Sequence, residues 1–488
     1  MDPVIPHSTR HTPESLAARF RGERDWMLLR SRCFEYPQAR YSFLAARPFL
    51  TFRAYGSRGE LGREGRVADV MFGNPWRMIE GLMARYELLD EIDLPFPLGG
   101  AFGFWGYDLR VYVEPRLRRG AAADLDLPDA WLGFYDSLVV FDHRVDRTYI
   151  VSTGLMPDGS RDPVRARQAA EAWRRHLDSE PAGEPVLESG SGRMEWPGGE
   201  VAVSNLDREG YVSRVERARR YIRSGDIYQV NLAQRWGAPL GEEGWVHWLR
   251  LAERSPSPFG AFLEAGDFAL ASVSPELFLK MSGRQVVTRP IKGTRPRAAD
   301  PDLDARWTFD LQTSPKEVAE LVMITDLLRN DLGRMCEYGT IRVPDLLRLE
   351  RFSQVQHLVS TVEGRLRPEV THLAALEHAF PGGSITGAPK IRAMEVIDEL
   401  EPVGRGPYTG CGGYLGFNQE SQVNLLIRTS VIENGRAWYH AGAGIVADSD
   451  AGAEYEETRI KARAFREVTG MDPVVRGPSW PAHGAGQR

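Results

Sequence analysis

Two pairs of carboxylates and one lysine stand out from the sequence. Glu317 and Glu320 lie three apart in "SPKEVAELVMITDLLRNDLGR". Glu454 and Glu457 lie three apart in "SDAGAEYEETRIKARAFREV", with Lys461 four residues further on. Residues three and four apart share one face of a helix, so each segment can aim two carboxylates in one direction. If the two helices meet at a cleft, four carboxylates converge. Such a cluster is costly without a divalent cation, and an all-oxygen ligand set suits Mg²⁺. Plainer readings stand beside this one. Glu317 fits a capping box with Ser314, and Glu457–Lys461 fits an ordinary surface pair. The stretch "AGAGIVADSD" precedes the second helix, and there Gly442 and Gly444 would let an anion approach bare backbone amides.

The lysine is Lys292, in "RPIKGTRPR". Only five of the 61 basic residues are lysine: Lys280, Lys292, Lys316, Lys390 and Lys461. A desolvated lysine can offer a free amine as nucleophile, whereas arginine stays protonated. The plainer alternatives are a salt-bridged surface lysine or a substrate clamp.

The glycine-rich stretches do not predict a nucleotide site. In "PGGSITGAPK" no lysine directly follows the second glycine of a GxxxxGK[ST] pattern, and "CGGYLGF" is not GxGxxG. Both read as strand–turn–helix punctuation, with Thr386 and Gly387 as candidates to line a small pocket. "PLGGAFGFWGYDL" reads as tight sheet packing.

These groups must be positioned by mixed elements. "LGFYDSLVVFDH", "RTYIVST", "IYQVNLAQRW" and "GRAWYHAGAGIV" read as strands, and "FALASVSPELFLKM" and "RQVVTRPIKGT" as a pair of them. "DREGYVSRVERARRYIRSGD" reads as an amphipathic helix ending at Gly225. The segment from Ser314 is a helix with that serine as N-cap and Pro315 in the first turn. "SDAGAEYEETRIKARAFREV" is a further helix. Residues 178–206 are rich in Gly, Pro, Ser and Glu and read as a linker or long loop. It separates an N-terminal region, 1–177, from a catalytic region, 207–469, with a flexible tail at 470–488.

With 42% apolar and 26% charged residues, the chain can build a large core. A net charge of −6 with scattered arginines gives no nucleic-acid footprint. No apolar run approaches the ~18 residues of a membrane span, and no secretory signal is expected. Three distant cysteines fit neither a disulfide framework nor a CxxC metal pattern, so a cytoplasmic protein is expected.

The motifs "GDIYQVNLAQR", "SPELF", "RPIKGTRPR", "DLLRNDLGR", "VQHLVSTVEG", "PGGSITGAPK", "GPYTGCGGY", "AGAGIVADSD" and "EYEET" occur in this order over roughly 240 residues. Together they closely resemble the chorismate-binding enzymes. That group includes the large subunits of anthranilate and aminodeoxychorismate synthases, and the isochorismate and salicylate synthases. "ARYSFLAARP" and "PLGGAFGFWGYDL" resemble the N-terminal region of the first two. The resemblance implies an α+β fold of two large antiparallel sheets packed as a sandwich, with helices outside and the active site in a cleft. It implies chorismate as substrate and Mg²⁺ held by Glu320 and Glu457, with Glu317 and Glu454 as companions. It places Arg428 and Tyr408 on the enolpyruvyl carboxylate, and Lys461, Gly442 and Gly444 around the carboxylates and metal. Thr294, His357 and Thr386 line the pocket, and Glu276 of "SPELF" is the catalytic acid.

Two positions separate the activities within the family. Relatives that add water carry a lysine where this chain has Gln229. Anthranilate synthases carry "PIAGT" where this chain has "PIKGT", the aminodeoxychorismate synthase pattern. Lys292 is then the expected nucleophile at C2, and ammonia displaces it from C4. Anthranilate synthase is the alternative, releasing anthranilate and pyruvate. A silent binding subunit is disfavoured by the intact Glu276, Glu320, Glu457 and Lys292. Ammonia is expected from a separate class I glutaminase subunit, because Cys411 in "TGCGG" is not in a GxCxG elbow. Tryptophan-regulated relatives carry "LLES"; this chain has "LLRS" at 28–31, so Arg30 makes such regulation doubtful.

Overall fold

The computed structural model describes residues 3–32, 39–88, 94–181, 202–352 and 355–470. The loop at 178–206 and the tail at 470–488 fall mostly outside these, as does Cys33. Two antiparallel sheets of 12 strands each dominate the fold. Each sheet draws strands from both sides of the 178–206 segment.

Strand alternation explains how the sheets stack. In the strand Trp26–Arg30, Met27 and Leu29 enter the same core cluster as Phe52, Phe102 and Phe104 of the other sheet, while Leu28 faces the opposite side. Phe43 meets Tyr414 across the layers edge-on, with centroids 5.1 Å apart. The outer face of the first sheet is covered by helices, including Pro163–Asp178, Gly244–Arg254 and Lys390–Leu400. The expected α+β sandwich is what the chain builds.

"PLGGAFGFWGYDL" forms the fully buried strand Gly100–Trp105, paired with Cys411–Gly416. A Cβ on Gly103 would sit 1.9 Å from the carbonyl oxygen of Trp131. Close backbone approach therefore accounts for this glycine run.

Three local expectations change. The strands of "FALASVSPELFLKM" and "RQVVTRPIKGT" do not form one simple pair. Phe268–Ser274 belongs to the first sheet, and Leu277–Ser282 pairs with Gln285–Arg289 in the second. The chain crosses between sheets at Pro275 and Glu276. The last helix breaks at Ala462 into Ala451–Lys461 and Arg463–Val468. The capping box is only half made: Glu317 N–H donates to Ser314 Oγ at 3.4 Å, but the Glu317 carboxylate turns to Arg295, also at 3.4 Å.

Candidate active site

Two neighbouring crossovers between the sheets open the cleft. One carries Glu276. The other runs from Glu420–Leu425 in the second sheet to Thr429–Glu433 in the first, and carries Arg428. They are bonded side by side: Leu425 N–H donates to Glu276 O at 3.1 Å, and Val273 N–H to Arg428 O at 3.0 Å. Arg428 has φ of 51°, a left-handed conformation that a non-glycine residue adopts at some cost. Among the described residues its guanidinium has no hydrogen-bond or ion-pair partner. It stands in the field of Glu276 and Tyr439. A cation held this way suits a ligand carboxylate.

Glu276 is 6% exposed, and burial pushes its carboxyl above the ordinary range despite Lys292 nearby. Its Oε1 accepts from the Ser384 hydroxyl at 2.7 Å. Lys292, half-buried on the strand Ile291–Pro296, donates from Nζ to Ser384 O at 3.3 Å. One residue thus touches both groups. A buried carboxyl whose pKa is raised, beside an amine, is an acid–nucleophile arrangement.

The carboxylates lie on the far side of the amine. Glu320 is raised by burial, against the pull of Lys292 and Lys316, with Glu317 and Glu457 within its field. Glu454 accepts from Ser449 at 2.6 Å and from Lys316 Nζ at 3.2 Å. Glu457 pairs with Lys461 at 2.8 Å. Burial pushes Glu457 up, but Lys461, Lys316 and Lys292 outweigh it and hold the carboxyl below its ordinary range. Among the described residues, no three His, Cys, Asp or Glu side chains draw together as a metal-binding group. Lysines stand between the carboxylates instead. The donor chemistry nevertheless fits a hard cation: among the described residues, Glu320 Oε1 and Glu454 Oε2 are buried without a hydrogen-bond partner.

The remaining predicted residues join this group through close contacts. Gly442 and Gly444 lie on Arg436–Ile445, beyond the start of Thr429–Glu433, whose first pairing is Ser430 with Tyr439. A Cβ on Gly444 would sit 2.6 Å from Gln229 Nε2 and 3.9 Å from Glu320 Oε2. A Cβ on Gly442 would sit 3.0 Å from the Tyr408 hydroxyl. Lys461 Nζ donates to Gly442 O at 2.9 Å. Tyr408 stacks on His440 at 5.0 Å. His357 Nδ1 meets Thr294 Oγ1 at 2.9 Å, and burial, helped by Arg428, lowers its pKa to about 4, so it stays neutral. The Thr386 hydroxyl donates back to Gly382 O at 3.0 Å, which braces its own loop.

Residue reasoning missed Ser384, Lys316 and Lys390. Lysine scarcity could have found the last two. Four of the five lysines serve this region, because Lys390 anchors the Ser384 loop to Asp331 at 2.8 Å. Cys411 is fully buried, and its thiol is pushed well up, unlike a nucleophile. Arg30 is tied to Glu14 at 2.9 Å in the N-terminal region.

The chain belongs to the chorismate binding enzyme family, matching it over residues 31–467. It is 40% identical to aminodeoxychorismate synthase component 1 of Klebsiella aerogenes, over 88% of this chain and 91% of the relative. It is 43% identical to anthranilate synthase component 1 of Thermus thermophilus, over 78% and 79% respectively. The fold superimposes on the crystal structure of anthranilate synthase component I from Streptococcus pneumoniae with a TM-score of 0.74 and 31% identity, covering 89% of this chain and 93% of that one. No described helix is long and apolar enough to cross a membrane.

Proposed function

We propose that this chain is the large subunit of an aminodeoxychorismate synthase, converting chorismate and ammonia to 4-amino-4-deoxychorismate. The observation that carries the reading is the Lys292 amine sharing Ser384 with the acid Glu276. Glu276, whose burial favours the protonated form, donates its proton to the C4 hydroxyl as the C4–O bond breaks. The Lys292 amine attacks C2, both conjugated ring double bonds shift, to C1–C6 and C4–C5, and water leaves from C4. Ammonia then attacks C4, both double bonds shift back, and the C2–N bond to Lys292 breaks. The nitrogen ends where the hydroxyl was, on the same face after two displacements. Arg428 binds a substrate carboxylate. Gln229 has no basicity with which to activate water, which disfavours hydroxylation.

Glu320 and Glu457 would hold Mg²⁺, flanked by Glu317 and Glu454. Bound there, the ion would neutralise the ring carboxylate of the substrate. Ammonia comes from a separate glutaminase subunit. Anthranilate synthesis is the second reading, favoured by relatives of that name at comparable identity. The test is to incubate the chain with chorismate, Mg²⁺ and ammonium, and to identify the product by mass spectrometry. An amino-substituted product that retains the enolpyruvyl group supports the proposal. Anthranilate plus pyruvate overturns it.

A further inference from the structure

We propose that Ser384 is a positioning residue for the acid: its hydroxyl holds Glu276 Oε1 as acceptor, so the transferable proton sits on Oε2. The inference rests on the role given above to Glu276 as the acid. A carboxylic acid has one O–H and one carbonyl-like oxygen. The oxygen that accepts from Ser384 at 2.7 Å takes the acceptor role, which favours the proton on the other; the Ile291 backbone also bonds this carboxyl and favours its charged form. The Ser384 carbonyl meanwhile takes the Lys292 amine at 3.3 Å. Among the described residues Lys292 and Glu276 form no direct ion pair, which would discharge the acid and protonate the nucleophile together.

Ser384 can enforce this because its loop is fixed from several sides. Lys390 Nζ donates to both carboxylate oxygens of Asp331 at 2.8 Å and to Ala379 O at 3.0 Å. Arg405 Nη1, fully buried, holds Ile385 O at 3.1 Å. On the other flank, a Cβ at Gly383 would lie 2.5 Å from Leu327 Cδ2, so the backbone is seated directly on the helix Pro315–Gly333. The serine itself is 7% exposed. The hydroxyl also favours the charged form of Glu276 and tempers the upward push of burial.

The test compares Ser384→Ala, Ser384→Thr, Glu276→Gln and the Ser384→Ala/Glu276→Gln double variant, following chorismate consumption against pH. Consumption is read whatever the product, so a different product would defeat the proposed function without touching this inference. Ser384→Ala keeps the backbone carbonyl and removes only the hydroxyl. The expected result is a kcat lower by roughly 10–100-fold with KM little changed. The alkaline limb of the profile should move to higher pH, because the bond that favoured the carboxylate is gone. Threonine should restore most of the rate and the original limb. In the Glu276→Gln background, Ser384→Ala should add no comparable further loss. The inference is overturned if the alanine profile keeps its shape and merely scales down, if threonine behaves as alanine does, or if the two losses multiply. Matching thermal midpoints of the single variants and the parent exclude a folding defect as the source.

Discussion

The seam between the strands Gly100–Trp105 and Cys411–Gly416 and the cleft around Glu276 are both buried, and glycines are prominent in each, yet they use burial in opposite ways. The seam carries no charged side chain, and its rings fill their own space: Phe102 stacks on Tyr414 at 5.3 Å. Its glycines admit neighbouring backbone. The cleft collects Glu276, Lys292, Glu320, Glu454 and Arg428, and leaves Glu320 Oε1, Glu454 Oε2 and Gln229 Oε1 without partners. Its glycines border polar groups that await something outside the chain. The seam is folded for itself and the cleft for a ligand, so substitutions in the two should separate stability from chemistry.

The largest effect belongs to Lys292→Ala. Loss of the nucleophile should reduce amination on the order of 10³-fold or more, with the thermal midpoint nearly unchanged. Single-turnover product analysis checks this; a variant that aminates normally would make Lys292 a pocket cation. Glu276→Gln comes next, with a loss of about 10²–10⁴-fold. It also carries a sign. Burial holds Glu276 above its ordinary value, so the folded chain binds that proton more tightly than the unfolded chain. The stability this acid supplies is fully present below the unfolded value and fades as pH rises through the raised one. Glu276→Gln should therefore flatten the dependence of thermal midpoint on pH across that window. An unchanged dependence would show that the acid is not proton-retaining.

The seam gives the converse. Gly103→Ala should lower stability by about 3 kcal/mol, because its methyl must displace the Trp131 carbonyl or bend the strand. Product identity should not change. Denaturant midpoints measure the first claim, and mass spectrometry the second. An aberrant product from this variant would erase the distinction between the two regions.

What was legible in the sequence follows the same division. The helix Pro315–Gly333 announced itself through its N-cap serine and following proline, which are local signals. The seam was legible because glycine interleaved with aromatics permits few alternatives to tight packing. The crossing at Glu276 was not legible. The strands Phe268–Ser274 and Leu277–Ser282 are both apolar, and nothing local says that they belong to different sheets. Arg428 and Glu276 meet only through that crossing, so their neighbourhood is a product of topology. The four carboxylates were legible as pairs, but the lysines between them were not, since Lys316 reaches Glu454 from 138 positions away. Ser384 was hidden because a turn motif reads as punctuation, whereas in the fold its hydroxyl meets Glu276 and its carbonyl meets Lys292.

Arg428→Met should produce a small change in stability, opposite in sign to that of Gly103→Ala. Arg428 has a left-handed backbone, and among the described residues its guanidinium has no hydrogen-bond or ion-pair partner. Such a group is retained against stability, since desolvating a charge without pairing it is costly. Methionine fills similar volume without charge. The free protein should therefore gain about 1 kcal/mol, while kcat/KM falls roughly 10–100-fold through the lost carboxylate contact. Chemical denaturation of the ligand-free protein measures the gain, and saturation kinetics the loss. The two must appear together. A variant that loses stability along with affinity would show Arg428 serving the fold as the seam residues do, and the contrast between the two regions would no longer hold at this position.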